Sequence, residues 1–161
     1  MSVLVSFFWL SICCVSWFSK ILWLCHSLSS LFVACRFVSC EFCLHDKSFR
    51  VISLYAPNHN PARDQFLEQI SSWVDPSVPT VLCGDFNTVF DRSLDRAGPD
   101  ASNTSRESSS TLSHLFDVCC VIDTWRYFHP SSSGFTWMSS DGSVSSRIDL
   151  IGCPYVLVPS V

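Results

Sequence analysis

Basic side chains are scarce in this sequence. Its 161 residues include 10 Lys and Arg against 14 Asp and Glu, which gives a formal net charge of -4. A protein that holds nucleic acid through a broad basic surface carries many more positive charges than this, so any chemistry on phosphate groups has to be local. The length fits one domain of ordinary size and is too short for two.

Charged residues of either sign are almost absent from the first 44 positions. The exceptions are Lys20, Arg36 and Glu41. Residues 1–19 form an uncharged apolar run, close to the length of about 20 residues that a membrane helix needs. Residues 21–35 form a second run that is shorter and interrupted by polar residues. These runs predict contact with a membrane through residues 1–35.

Two other interpretations of this first segment stay open. A signal peptide is one, although no basic residue precedes Lys20. A mispredicted exon or a frame-shifted remnant is the other, because the segment shows neither helical nor alternating hydrophobic periodicity and offers no pattern that would cover a sheet edge. In each case we expect an apolar segment at residues 1–44 and a domain at residues 45–161.

The ten cysteines do not form a complete zinc motif. Cys40 and Cys43 have the spacing of half a zinc site, but no second Cys or His pair follows at a finger-like distance. Cys83, Cys119 and Cys120 lie within apolar runs, where free cysteine behaves as a small hydrophobic residue. We therefore expect neither a zinc site nor a disulfide framework.

After residue 45 the sequence alternates strand patterns with helix patterns. Strands are predicted at residues 49–55, 79–83, 135–138 and 146–151, the last two joined by a hairpin turn at Asp141 and Gly142. One helix is predicted to start at Asn60 and Pro61 and to end near Pro76. Another is predicted to follow a capping box of Thr104 and Glu107. This order is typical of an α/β domain in which helices cover a sheet.

Polar side chains interrupt the ends of the apolar strands. They are Tyr55, Asn58, Asp85, Asn87, Thr136 and Asp149. Strand ends of an open α/β sheet converge on one crevice, and ligands bind there. Carboxylates in such a crevice can activate a water molecule or hold a hard divalent cation, and an amide can donate to phosphoryl oxygens. The set therefore suits hydrolysis of a phosphate ester, whereas the sequence contains neither a G-x-S-x-G motif nor a P-loop.

Purely structural explanations for the same residues stay open. Asp85 and Asn87 after a strand also suit an Asx turn. Asp149 in a strand could pair with Arg147 or Arg126. The large aromatic residues nearby are expected in the core rather than stacked on nucleic-acid bases. They are Trp125, Phe128, Phe135 and Trp137.

Five motifs occur in a fixed order along the chain. They are VISLYAPN at residues 51–58, VLCGDFN at 81–87, DTWR at 123–126, GFTW at 134–137 and SRID at 146–149. The series resembles the endonuclease/exonuclease/phosphatase superfamily. Within that superfamily it is most similar to the apurinic-type endonuclease domain of LINE-type retrotransposons, and DRSLDR at residues 91–96 strengthens this choice. The resemblance covers about residues 48–153. It implies an incomplete α/β fold in which two sheets form a sandwich flanked by helices. It also implies Mg²⁺-dependent phosphodiester cleavage and DNA as the substrate.

The resemblance also implies roles for individual residues. Asp85 would activate the attacking water, and Asn87 would contact the scissile phosphate and share with Asp85 the binding of Mg²⁺ or Mn²⁺. Tyr55 would hydrogen-bond the same phosphate, and Asp149 would orient a catalytic histidine. Further substrate contacts are expected from Asn58, Thr136 and Arg147.

Two motifs of the family are missing from the sequence. No Gln-Glu-Thr, which supplies a metal-binding Glu in the family, precedes Tyr55, and no Ser-Asp-His follows Asp149. The resemblance therefore implies a truncated and impaired remnant of a retrotransposon nuclease. Its location stays open: the nucleus is expected for a retroelement product, and a membrane if the N-terminal segment is genuine. The alternatives are a phospholipid or phosphoinositide phosphatase of the same fold and a catalytically dead membrane-associated protein. No protein partner is predicted.

Overall fold

The computed structural model describes residues 28–34, 36–44, 46–99 and 109–158 of the chain. Its strands there are β1 (Leu28–Ala34), β2 (Phe37–Leu44), β3 (Lys47–Tyr55), β4 (Thr80–Asp85), β5 (Arg96–Ala97), β6 (Val121–Asp123), β7 (Trp137–Met138), β8 (Ser145–Ser146) and β9 (Asp149–Pro154). The helices are α1 (Ala62–Trp73), α2 (Arg92–Asp95), α3 (Ser110–Val118) and α4 (Thr124–Phe128), and a 3₁₀ turn covers Tyr155–Leu157.

The strands form two sheets. The larger sheet has six strands in the order β1-β2-β3-β4-β9-β6, and the smaller has three in the order β5-β8-β7. β3 and β4 are parallel, and α1 lies in the connection between them, as a parallel pair requires a crossover. The other pairs are antiparallel. The predicted fold class, an α/β arrangement of two sheets with helices, is confirmed.

Strands β1 and β2 arise from the segment that the sequence assigned outside the domain. β2 pairs with β3 along its whole length, from Phe37 opposite Leu54 to Leu44 opposite Lys47, so the predicted boundary after residue 44 separates two paired strands of one sheet. The conclusion that this segment has no pattern to cover the sheet edge was wrong for Leu28–Ala34 and Phe37–Leu44. The adjacent side chains of Ser39 and Cys40 on β2 are both buried. The sequence of β2 therefore lacks the alternation of polar and apolar residues by which a strand is recognised.

The predicted membrane run at residues 1–19 lies outside the described residues. Within the described part of the chain, none of the helices is long and apolar enough to cross a membrane.

The core lies between α1, α3 and the central strands of the larger sheet. Its buried side chains include Ile52, Leu54, Leu67, Ile70, Leu82, Phe86, Leu112, Leu115, Phe116 and Leu150. Burial of each large apolar side chain contributes about 1.5–3 kcal/mol. α1 begins at Ala62 after Pro61, without a side-chain cap, and α3 is capped by the Ser109 hydroxyl, which accepts from the Leu112 N–H at 3.3 Å. The capping box predicted for α3 lies outside the described residues.

Four aromatic residues that the sequence placed in the core are exposed to solvent. Trp125, Phe128 and Phe135 are each 41% exposed, and Trp137 is 46% exposed. The prediction failed because these residues lie on a five-residue helix, on a two-residue strand or in the loop between them. Such short elements at the margin of a domain have little structure packed against them.

The last predicted strand divides into two. β8 belongs to the smaller sheet and β9 to the larger, and the chain changes sheets at Arg147 and Ile148. The predicted hairpin at Asp141 and Gly142 is confirmed, because β7 pairs with β8 on either side of it. This change of sheets places Asp149 at the first position of β9.

Candidate active site

One row of residues crosses three neighbouring strands of the larger sheet. Tyr55 at the end of β3 lies opposite Asp85 at the end of β4, and Asp85 lies opposite Asp149 at the start of β9. Neighbouring strands are about 4.8 Å apart, so this register places a phenol and two carboxylates at one end of the sheet. The predicted convergence of these three residues is present in the structure.

Gly84 allows β3 and β4 to approach each other immediately before this row. Its φ is +137°, and a Cβ atom built on it would lie 2.0 Å from the carbonyl oxygen of Leu54. A side chain at this position therefore cannot be accommodated without moving the strands apart. Directly after Asp85, the Phe86 N–H donates to the carbonyl of Ile148 at 2.8 Å, which continues the contact between β4 and the segment leading into β9.

Asn87 is held in a left-handed conformation beside Asp85. Its φ is +49°, a value that Asn adopts more readily than most residues. The Asn87 N–H donates to Asp85 Oδ1 at 2.8 Å, so the Asx turn considered from the sequence is present. Its side-chain Nδ2 donates to the Ala56 carbonyl at 2.8 Å and to Asn58 Oδ1 at 3.4 Å. Tyr55 Oη also donates to Asn58 Oδ1, at 3.3 Å, so the four polar residues form one network.

Thr136 fixes the backbone that carries Asp149. Its hydroxyl oxygen accepts from the N–H groups of Ile148 and Asp149, each at 3.1 Å. Its own N–H donates to the Ser146 carbonyl at 3.0 Å. Thr136 therefore links β8 of the smaller sheet to the start of β9, and it is exposed to solvent.

Burial raises the pKa of both carboxyl groups of the row. Burial raises the pKa of Asp85 to about 6, against the hydrogen bond from the Asn87 N–H, and the charge of Asp149 adds to the increase. Partial removal from water also raises the pKa of Asp149, although its side chain keeps access to solvent. Two neighbouring carboxylates of this kind are stabilised by a bound cation.

Arg147 does not face the row. It is only 1% exposed, and its guanidinium contacts Asp95 and Asp123, with Nε 2.8 Å from Asp95 Oδ1 and Nη2 2.5 Å from Asp123 Oδ2. The prediction that Arg147 contacts substrate was therefore wrong, because interior carboxylates engage this side chain. The alternative pairing of Asp149 with Arg147 or Arg126 was wrong as well, because Arg126 also binds Asp95.

Two residues beside the row and one in the interior were missed by the sequence interpretation. Arg63, in the first turn of α1, donates from Nη1 to the carbonyls of Asn58 and Asn87. The Arg36 guanidinium lies over the Tyr55 ring, 5.5 Å from its centre. Asp95 is fully buried and receives both arginines named above. In the sequence, Asp95 was noticed only as part of DRSLDR. That motif supported the family resemblance but did not indicate a role for Asp95.

The donor set at the row fits a magnesium ion that keeps part of its shell for water and phosphate. Mg²⁺ is commonly held by one or two carboxylates together with substrate phosphates, and Asp85 with Asn87 offers oxygen donors of that type. Among the residues that the structure describes, no cluster of three or more His, Cys, Asp and Glu is arranged around a metal position. Of the described acids before Tyr55, Glu41 pairs with Arg50, and Asp46 lies in the β2–β3 turn at the far end of that hairpin.

Comparison with solved structures defines the class of the fold. A 3′ phosphatase of Neisseria bound to a product DNA hairpin superposes with a TM-score of 0.64 at 19% identity. An AP endonuclease of Archaeoglobus fulgidus gives a TM-score of 0.63 at 17% identity. Each match covers 82% of this chain and 60% of the other. The fold is that of the endonuclease/exonuclease/phosphatase superfamily, and the chain spans less than two thirds of the length of these two relatives.

Comparison with curated sequences gives a relative in a mobile element. The chain is 33% identical over 110 residues to the uncharacterized 149 kDa protein of transposon TX1 from Xenopus laevis. This match covers 65% of the chain and 8% of the transposon protein. No protein-family profile matches the sequence.

Proposed function

We propose that this chain is a magnesium-dependent phosphodiesterase that acts on DNA, as an endonuclease of the retrotransposon type. The observation that carries the proposal is the row of Tyr55, Asp85 and Asp149, with Asn87 held beside it. Two of the similar proteins support DNA as the substrate, since one is encoded by a transposon and another is bound to a DNA hairpin.

Each residue of the site has a separate role in the proposed hydrolysis. Ionised Asp85 orients a water molecule and accepts its proton as the water oxygen bonds to phosphorus, and the bond from phosphorus to the leaving oxygen breaks. The Asn87 amide and the Tyr55 hydroxyl are placed to donate to the phosphoryl oxygens, in exchange for their present acceptors. When bound by Asp85 and Asn87, Mg²⁺ would neutralise charge on the phosphate. Asn58 and Thr136 would lie along the bound DNA strand.

We expect a reduced rate from this chain. Neither described acid before Tyr55 lies at the row, because Glu41 pairs with Arg50 and Asp46 lies at the other end of the β2–β3 hairpin. A general acid or base typically contributes about 10² to 10⁴-fold to the rate, and groups that act as a unit lose more than one such factor together. The assay therefore needs enzyme in excess over DNA and long incubation.

Nicking of supercoiled plasmid by the purified full chain tests the proposal. We expect slow, Mg²⁺-dependent conversion to the nicked circle that EDTA stops, and loss of that conversion in Asp85→Asn. Asp117→Asn is the matched control, because Asp117 is an exposed carboxylate on α3 away from the row. Equal nicking by wild type and Asp85→Asn would show that the activity does not arise at this site. Phosphate release from a phosphoinositide without nicking would instead favour the lipid phosphatase alternative.

A further inference from the structure

Arg63 joins the two loops that follow β3 and β4. Its Nη1 donates to the Asn58 carbonyl at 3.1 Å and to the Asn87 carbonyl at 2.8 Å. Asn58 and Asn87 are 29 residues apart in the sequence, and their side chains also contact each other. A single nitrogen on the first turn of α1 therefore fixes the distance between these loops.

The contact to Asn87 completes the restraint of that residue. Its N–H is held by Asp85, its side-chain nitrogen by the Ala56 carbonyl, and its own carbonyl by Arg63. A left-handed residue other than glycine costs about 1–3 kcal/mol and persists where its surroundings over-determine it. Arg63 supplies the restraint on the Asn87 carbonyl, from the first turn of α1.

Stability alone does not account for Arg63. Its Nε is buried, and in the part of the chain that the structure describes this nitrogen has no hydrogen-bond partner. A buried donor without a partner costs about 1–3 kcal/mol. The Arg63 side chain therefore costs stability at its Nε, while its Nη1 links Asn58 to Asn87.

We propose that Arg63 is a positioning residue that holds the loops of Asn58 and Asn87 together, so that the Asn87 amide is presented to a phosphate. This inference rests on the proposed function, because the phosphate is that of the DNA substrate. Arg63 acts through the two asparagines and does not itself accept a proton or bind the leaving group.

Two variants of Arg63 in the full chain test the inference. Arg63→Gln removes the charge and shortens the reach, whereas Arg63→Lys keeps a cationic donor. We expect Arg63→Gln to lower kcat about 10- to 100-fold with a KM change below about 3-fold, because misplacement by about 1 Å has effects of this size. We expect Arg63→Lys to recover part of the loss, and its kcat decides the question if the Gln variant does not fold.

The resonances of Asn87 provide a readout that does not depend on activity. In ¹⁵N-labelled protein, Arg63→Gln should shift the Asn87 backbone and side-chain amide signals and speed the hydrogen exchange of its backbone N–H. Arg50→Gln is the matched control, since Arg50 is a buried arginine that donates to Glu41 and to the Asp75 carbonyl at the other end of β3. It should lower stability and leave the Asn87 signals in place.

The outcomes separate this inference from the proposed function. Unchanged Asn87 signals in Arg63→Gln, or an equal shift in Arg50→Gln, would overturn the positioning role whatever the nicking assay shows. If wild type shows no Asp85-dependent nicking, the proposed function fails, and the Asn87 signals still decide whether Arg63 positions that residue. A fall in kcat with unmoved Asn87 signals would assign Arg63 a direct role and overturn the inference.

Discussion

Asp95 and Arg147 form a two-pronged ion pair in the interior, 52 residues apart in the sequence. Arg147 Nε lies 2.8 Å from Asp95 Oδ1 and Nη2 lies 3.0 Å from Oδ2. Asp123 and Arg126 extend the pair to a network of four charged residues. Because Arg147 is where the chain passes from β8 to β9, this network anchors the segment that leads to Asp149.

Removal of Asp95 should destabilise the whole domain. Asp95→Ala leaves Arg147 buried with half of its partners, and breaking a buried ion pair in this way costs about 3–5 kcal/mol. Urea denaturation followed by circular dichroism measures the loss. Asp91→Ala is the control, because Asp91 is an exposed cap of α2 whose loss costs about 1 kcal/mol. Similar losses in both variants would mean that the network adds little stability.

A methyl group at Gly84 should prevent β3 and β4 from pairing. Gly84→Ala would place Cβ 2.0 Å from the Leu54 carbonyl oxygen at a φ of +137°, so we expect a loss above about 4 kcal/mol or no folded protein. Gly142→Ala has a φ of +71° but meets nothing within 4 Å, and should cost about 1–2 kcal/mol. Thermal unfolding of the two variants compares them. A Gly84→Ala protein as stable as Gly142→Ala would contradict the close approach of these strands.

The pH dependence of stability should reveal the raised pKa of Asp85. Its pKa rises from 3.8 to about 6 on folding, so the folded state binds this proton more tightly than the unfolded state does. The destabilising effect is therefore absent below about pH 4, grows as the pH rises toward about 6, and is complete above that value. Asp85→Asn removes this effect. Measured in EDTA, Asp85→Asn should be more stable than wild type at neutral pH. This difference in the free energy of unfolding should become smaller at acidic pH.

Trp137 should be dispensable for stability. With 46% of its surface exposed on the short strand β7, Trp137→Ala should cost less than about 1 kcal/mol. Leu82→Ala, at a fully buried position of β4, should cost about 2–5 kcal/mol. Urea midpoints measure both changes. If Trp137→Ala lost nearly as much stability as Leu82→Ala, Trp137 would belong to the core, as the sequence predicted.

The elements predicted well are those with strong local patterns. β3 and α1 end where the sequence placed their ends, because Ala56-Pro57 stops the strand and the Asp75-Pro76 pair follows the helix. The meeting of Tyr55, Asp85 and Asp149 was also predicted, from the rule that ligands bind at strand ends.

The features that were missed depend on distant parts of the chain. β2 is covered on both faces, since the adjacent residues Ser39 and Cys40 are both buried, and a strand of this kind shows no alternation of polar and apolar residues. Arg147 was expected to contact substrate because the resemblance covers the SRID motif at residues 146–149. Its partner Asp95 comes from another segment, and only the folded chain shows that they meet.

The position of β4 between β3 and β9 has a consequence for the order of folding. The β2–β3 hairpin closes through a short turn, whereas β4 meets each of its partners only after a long loop has closed, at a greater entropic cost. Local pairings of this kind form faster than distant ones. The amide protons of β4 should therefore exchange with solvent only when the domain unfolds as a whole. A chain still emerging from the ribosome carries Tyr55 and Asp85 before β9 exists, and the complete row forms only after synthesis has passed Asp149.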